Sequence, residues 1–375
     1  MKKQSICFMT ITGSPKFLGG YSLYHKNLIK CIKKNYKNLD ISWVYFGDKN
    51  QSYISEEVRY FELKSNKLQS FMFLGRFILL AKFFEKNNFD IINTIGGPWT
   101  FLYKKKQGQK IIHTFHGTAY YFNKNHFRRF NLLQKILFSP LLLISLIQER
   151  PHKDADKIIC VSEKVKRQVK NLYGKRKNII VVRTGVDLKE FKIRGKRGAR
   201  EKLSLDLNKI YGLYIGGGGY WTKGLDRAVE LSGEIYKKNK DYRLIVVGSD
   251  LKKTKHLVNK KFVIYVEKSE RKDMPFYYSA SDFFCCMSRY EGGAPTLVVS
   301  EAMASGCLLI CSKDSEQEII KDKENGLIIN EFGKEEVKKI LKNLGNEKII
   351  SNAKKTVEKL SLEKWGKKTM EVLLR

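Results

Sequence analysis

Two stretches of this 375-residue chain combine residue types that bind anions and hydroxyls. In IGGGGYWTKGLDRAVEL (215–231), four consecutive glycines, Gly216 to Gly219, lead to Lys223 and Gly224, which open a helical pattern. Glycines leave backbone amides uncovered, a helix start points more amides outward, and the ammonium adds a full charge, so the segment reads as an anion site. It meets neither GxxxxGK[ST] nor a GxGxxG fingerprint with an acidic partner, and its plain alternative is a tight turn with a solvated lysine. In SRYEGGAPTLVVSEAMASG (288–306), Gly292 and Gly293 form a loop, Pro295 suits the first helical position and Gly306 closes the helix. Glu291 lies in that loop, and Glu301 lies within an apolar helical run. A carboxylate there needs donors, which local amides or the hydroxyls of a ribose or sugar supply. His116 in HTFHGT is a third candidate, read on its own as a core histidine at a strand end.

These residues need sheet edges to hold them. Short β-branched or aromatic runs alternate with helical patterns along most of the chain, which predicts parallel sheets covered by helices. Strands are expected at 4–11, 40–46, 90–95, 110–115, 157–161 and 178–183, then at 210–216, 242–247, 262–266, 282–287, 307–311 and 326–329. Between the two sets, KEFKIRGKRGAREKL (189–203) is charged, has two glycines and lacks apolar periodicity, which marks a domain boundary. The expectation is an α/β protein with two Rossmann-like, doubly wound domains, 1–190 and 191–358, followed by a helical segment, 359–375. In such sheets ligands bind beyond the carboxyl ends of the strands, where both glycine loops fall.

With 42% apolar and 29% charged residues the chain has material for two cores, which excludes general disorder. Its 72 Lys+Arg against 38 Asp+Glu give a net charge of +34, much of it attributable to lysine-rich coding. The distribution is more informative: residues 1–190 carry 35 basic and 13 acidic side chains, and 191–375 carry 37 and 25. A basic surface attracts nucleic acid, anionic membrane or phosphorylated substrates. With no RNP-like run and no basic helix-turn-helix pattern, a nucleic-acid-binding protein is a remote reading.

Seven cysteines without a Cys-x-x-Cys pair read as buried, reduced thiols of a cytoplasmic protein, and the N-terminal stretch reads as a first strand rather than a signal peptide. Asp154-Ala-Asp156 directly precedes the KIICV strand and reads as a helix end and strand start, not a metal site. The most apolar window, Leu132 to Ile147, contains Gln134, Lys135 and Pro140 and is shorter than the ~20 residues of a spanning helix. Residues 117–140 interleave aromatic, basic and apolar side chains, which suits a membrane interface; a core helix kinked at Pro140 is the alternative. A second rich window, 71–84, reads as an amphipathic or packed helix.

Over nearly its full length the chain resembles the retaining glycosyltransferase family 4, the "group 1" transferases of GT-B fold, in which two Rossmann-like domains face a central cleft. The carriers are Gly19-Gly20 in the first βα loop, HTFHGT with His116, ADKIICVSEKVK (155–166), VVRTGVDLKEF (181–191), TKGLD with Lys223, and EGGAPTLVVSEAMASG with two glutamates. Three positions depart from the pattern. The usual Arg five residues before the lysine is Gly218, so one of two expected diphosphate cations is missing. The glutamates, commonly seven residues apart, are separated by nine here; from Glu301 the strict spacing lands on Gly293. The junction Asn is Thr184.

The resemblance implies transfer of a sugar from a nucleotide diphosphate donor, UDP- or GDP-linked, with retention and without a required metal or other cofactor. Lys223, the amides of Gly218 and Gly219, and the helix start at Thr296 and Leu297 would neutralise the departing diphosphate. Glu301 would hold the ribose, Glu291 or the Gly293 amide would touch the donor sugar, and His116 would contact the sugar or its acceptor. Gly19 and Gly20 would let the first loop approach the diphosphate or acceptor. The last helix of the family commonly crosses back to the N-terminal domain. The acceptor is expected to be a lipid-linked or envelope glycan met at the inner face of the cytoplasmic membrane, with anionic lipid as a partner. A soluble acceptor or a nucleotide-sugar epimerase is the nearer alternative.

Overall fold

In a computed structural model, the structure describes residues 3–11, 14–15, 19–65, 74–95, 102–175, 178–216 and 219–375. The chain divides into two compact units: Met1–Arg183 with Trp365–Arg375, and Thr184–Lys364. The division falls slightly ahead of the charged 189–203 segment because Val186 and Phe191 are already buried in the core of the second unit, and Val186 bridges Ser361.

In the first unit the strands are β1 (Gln4–Thr10), β2 (Leu39–Gly47), β3 (Gln51–Ser55), β4 (Val58–Lys64), β5 (Ile91–Ile95), β6 (Lys110–Phe115), β7 (Lys157–Cys160) and β8 (Ile179–Val181). They form one sheet in the order β3-β4-β2-β1-β5-β6-β7-β8, and every described pairing is parallel except β3 with β4. The central runs are apolar on both faces because helices cover both, as parallel sheets require. Phe77, Leu80, Ala81 and Phe84 of the helix Leu74–Lys86 pack with Cys7, Met9 and Ile92. The expectation for 71–84 is met by this helix; residues 71–73 lie outside the described ones.

The β3–β4 hairpin has no counterpart among the expected strands. Its turn is made by Glu56 and Glu57, with φ of 47° and 59°. Two left-handed residues in succession are the geometry of the tight hairpin turn that Asn-Gly usually supplies. The Lys33 ammonium donates to the Glu56 carbonyl at 2.5 Å and lies 4.0 Å from both glutamate carboxylates.

The helix Leu132–Gln148 begins with a capping box: Asn131 Oδ1 accepts from the Gln134 amide at 2.9 Å and Gln134 Oε1 from the Asn131 amide at 3.1 Å. It runs through Pro140 and is not a core helix: Ser145 is its single buried residue, and Leu132 is 75% exposed. Among the described residues no helix is long and apolar enough to cross a membrane.

The helix Leu362–Leu374 places Trp365, Met370 and Leu373 in buried positions. Within the first unit Trp365 stands edge-on to Tyr24 at 4.9 Å, Gly366 leaves no room for a Cβ beside Cys31, and the Leu374 carbonyl accepts from Lys110 Nζ at 2.6 Å.

The second unit contains β9 (Ile210–Ile215), β10 (Tyr242–Val247), β11 (Val263–Val266), β12 (Phe283–Cys286), β13 (Leu308–Ser312) and β14 (Leu327–Ile329). All described pairings are parallel, in the order β11-β10-β9-β12-β13-β14. This is the doubly wound order in which the chain leaves β9 first toward one edge and then, at β12, toward the other. The crevice beyond the carboxyl ends of β9 and β12 is therefore the topological switch point. All seven cysteines of the chain are free and buried.

Candidate functional site

Beyond β9 and β10 the second unit has a cleft of about 280 Å³, lined by residues that include Gly216, Gly219, Lys223, Gly248, Ser249 and Lys253. Lys223 reaches it from the end of a short helix, Tyr220–Lys223, that Gly219 opens with a φ of +90°. Gly224, with φ +72°, turns the chain at once into the helix Leu225–Lys238, and a Cβ there would collide with the Met287 carbonyl. Only glycine meets both demands. Gly217 and Gly218 lie outside the described residues.

The Lys223 ammonium donates to Glu291 Oε1 at 2.6 Å, and Ser288 Oγ donates to the same oxygen at 2.7 Å. The lysine side chain is 34% exposed and the glutamate 11%. Burial alone would lower the ammonium pKa, but the charge and hydrogen bond of Glu291 outweigh it and hold the pKa above the usual lysine value. Arg289 locks the two helices together: its guanidinium makes two bonds to Asp226, at 2.8 and 2.5 Å, donates to the Trp221 carbonyl at 2.6 Å and lies over the Trp221 ring. It thereby positions the lysine without itself lining the cleft.

Glu301 is 2% exposed on the helix Leu297–Ala304. Its Oε1 pairs with Arg271 Nη1 at 2.7 Å, and its Oε2 accepts from the Tyr278 hydroxyl at 2.9 Å. Burial raises the carboxyl pKa, and Arg271 and Tyr278 oppose that shift without cancelling it. Arg271 also donates to Glu190 Oε1 at 3.0 Å and lies over the Phe191 ring. Glu301 is thus an internal ion-pair partner, and it is not among the residues lining the Lys223 cleft. At the same helix start the Thr296 amide donates to Gln317 Oε1 at 3.2 Å, while Leu297 carries a first-turn amide with no acceptor inside the helix. Gly293 is buried with φ +76°, and its carbonyl accepts from the Glu318 amide at 2.9 Å.

The first unit gathers the remaining candidates. Gly19 precedes the helix Gly20–Asn35, and Gly20 has open space where a Cβ would be. Tyr21 and Tyr24 of that helix meet the His116 ring at 5.2 and 4.6 Å, so the first loop and the β6 loop come together. His116 Nε2 is buried with no hydrogen-bond partner among the described residues, and burial lowers the imidazole pKa to about 4. The ring is neutral at physiological pH. His113, three residues earlier and within β6, is structural: Thr94 Oγ1 bonds its Nδ1 at 2.7 Å and the His152 amide donates to its Nε2 at 3.1 Å. Asp156 accepts from Lys105 Nζ at 2.8 Å and from the Ile111 amide at 2.7 Å at the start of β7, and no group of metal-ligating residues occurs among the described residues.

Arg271, Asp226, Arg289 and Lys253 escape sequence reasoning, because each partnership spans a long sequence separation or depends on the cleft's shape; Ser288, three residues from Glu291, is a local partner that such reasoning also missed. The one available signal was Glu301 itself, an acid in an apolar run that demands a partner.

Comparison with known proteins gives the family and the fold. The model described as "Glycosyltransferase Family 4" matches residues 18–190, and the one described as "Glycosyl transferases group 1" matches 196–359. An uncharacterized glycosyltransferase of Methanocaldococcus jannaschii is 24% identical over 372 residues, 91% of either chain. Sucrose-phosphate synthase of Thermosynechococcus elongatus superposes with a TM-score of 0.78 at 18% identity, covering 99% of this chain and 98% of that one. WaaG, a glycosyltransferase involved in lipopolysaccharide biosynthesis, superposes with a TM-score of 0.74 at 14% identity, covering 98% and 99%. With both family models in chain order on two Rossmann-like units, this chain belongs to the group 1 glycosyltransferases of family 4 and has the GT-B fold.

Proposed function

We propose that this glycosyltransferase moves a sugar from a UDP- or GDP-linked donor to a lipid-linked or envelope-glycan acceptor at the cytoplasmic membrane face, with retention and without a required metal. One observation carries the donor half of this reading: a cleft beyond β9 and β10 holds Lys223 beside a glycine-opened helix. In the reaction the bond between the anomeric carbon and the phosphate oxygen breaks, and its electron pair leaves with the diphosphate. The acceptor oxygen forms its bond on the same face, and its proton passes to a diphosphate oxygen. Charge on the leaving group grows as this happens, so the fixed ammonium of Lys223 and the nearby amides are worth most at that moment.

Metal independence rests on those fixed charges. Glu301 lies outside the Lys223 cleft with both carboxylate oxygens engaged, so it would meet the ribose only through lone pairs that Arg271 and Tyr278 leave unused. His116, held neutral, is suited to accept or donate one hydrogen bond to sugar or acceptor and not to serve as a permanent cation. The acceptor half is supported by the exposed apolar helix Leu132–Gln148, which follows the His116 loop.

A thermal-shift screen against UDP-, GDP-, ADP- and dTDP-sugars tests the donor reading. Stabilisation by one nucleotide class is expected, abolished in Lys223→Ala and unchanged by chelator. If no nucleotide sugar stabilises the wild-type protein, the reading fails. Release of nucleotide diphosphate only on adding a membrane extract supports the acceptor class; turnover without any acceptor overturns it in favour of epimerisation.

A further inference from the structure

The helix Leu132–Gln148 has two unlike halves. Residues 131–141 are exposed on every side, an arm of roughly 15 Å at 1.5 Å per residue. Leu132, Leu133, Ile136 and Leu137 are 75%, 66%, 63% and 64% exposed, and Leu143 and Ile147 continue the same face at 62% and 53%. At 100° per residue these six side chains fall within an arc of about 140°, the width of a face that lies in a membrane interface. The second half is rooted. Asn123 Nδ2 donates to Ser145 Oγ at 2.6 Å, and Glu149, which caps the helix, accepts from the Ala119 amide at 2.5 Å through Oε2. Ala119 opens the helix Ala119–Phe127 three positions after His116, and Thr118 between them bonds Gln168 at 3.2 Å.

Along residues 117–148 the charge is of one sign, and the first acid, Glu149, is hydrogen-bonded at the root. Lys124, Arg128, Arg129 and Lys135 stand on or beside it, and residues 117–148 contain no Asp or Glu. A second copy of this chain would bring the same positive charge to a shared apolar face, whereas an anionic leaflet supplies the opposite charge together with the apolar phase.

We propose that this helix is a lipid-binding arm whose six apolar side chains enter an anionic leaflet, and that its root, through Glu149 and Ser145, passes that binding to the His116 loop. The inference rests on the membrane reading above and deepens it: lipid is a partner that sets the state of the acceptor loop as well as an anchor. Glu149 is here a positioning residue.

The test uses the full chain with vesicles of phosphatidylcholine, with and without phosphatidylglycerol, at low salt. Sedimentation with the anionic vesicles is expected, and Leu133→Glu with Leu137→Glu should weaken it on the order of tenfold or more, since each buried leucine is worth more than one decade. Hydrogen exchange should then slow at 132–147 and also at 116–123. In Glu149→Ala, which has no acceptor for the Ala119 amide, the slowing at 132–147 should persist while that at 116–123 is lost. No sedimentation of the wild type overturns the membrane reading itself. Sedimentation with no change at 116–123 leaves that reading standing and overturns the coupling. A dimer that Leu133→Glu dissolves would show that the face belongs to a second copy, which also overturns the inference.

Discussion

The ammonium of Lys223 is already engaged: Glu291 Oε1 accepts from it at 2.6 Å inside a cleft that an anion would have to enter. A diphosphate must therefore compete with a carboxylate for the same cation. Glu291→Gln removes the competitor's charge and is expected to tighten nucleoside diphosphate binding several-fold, while Lys223→Ala weakens it by about 2 kcal/mol, within the range for a hydrogen bond to a charged group. Titration calorimetry with UDP and GDP on both variants checks this; weaker binding by Glu291→Gln would show that the glutamate helps hold the ligand.

Glu301 and Arg271 form a second pair, at 2.7 Å, with the glutamate 2% exposed. Removing one member of a buried pair strands the other charge, so Arg271→Ala is expected to destabilise the protein by about 3–5 kcal/mol. Arg271→Ala with Glu301→Gln should recover much of the loss. Urea unfolding of the three variants measures it, and equal destabilisation by single and double variants would show that Arg271 acts through packing on Phe191 alone.

Two buried histidines predict acid sensitivity. Burial lowers His25 to about 3, with the nearby His116 adding to the shift, and burial lowers His116 to about 4. Both ring nitrogens of His25 lack a partner among the described residues. Because the folded pKa values lie below the unfolded value of ~6.5, the unfolded chain binds more protons in between, and acidification favours it. Stability should fall from pH ~6.5 toward pH ~4 by up to about 1.4 kcal/mol per pH unit for each histidine. His25→Phe should flatten the dependence of melting temperature on pH across that window; an unchanged slope would refute the assignment.

The hairpin turn offers a stabilising change. Glu56 and Glu57 hold φ of 47° and 59°, a conformation that Asn and Gly adopt more readily. Glu56→Asn with Glu57→Gly should raise stability by about 1 kcal/mol in a melting experiment, since a left-handed residue with a Cβ costs roughly 1–2 kcal/mol. Lys33 bonds the carbonyl of residue 56, which the substitution retains.

What was legible in the residues follows from locality. A run such as LIVV (244–247) or FFCCM (283–287), apolar throughout and bounded by polar residues or glycine, has few alternatives to a buried parallel strand, and both lie in the second sheet. The β3–β4 hairpin was not legible because Glu56 and Glu57 carry none of the usual turn chemistry and β3 is almost wholly exposed. At the site, Lys223 and Glu291 could be found because glycines announce the loops that carry them. Arg289 and Arg271 could not, since Asp226 and Glu301 lie far from them along the chain and are brought near only by the sheet.

The helix Leu362–Leu374 carries a consequence for how the protein is made. Tyr24 and Cys31 are positioned early in the chain, yet Trp365 and Gly366, which pack on them, leave the ribosome only after all of Thr184–Lys364. The first-synthesised unit therefore waits, with an unfilled seam along the helix Gly20–Asn35, until the second has been translated. Until the last helix arrives, Tyr24 and Cys31 lack the packing partners that Trp365 and Gly366 supply.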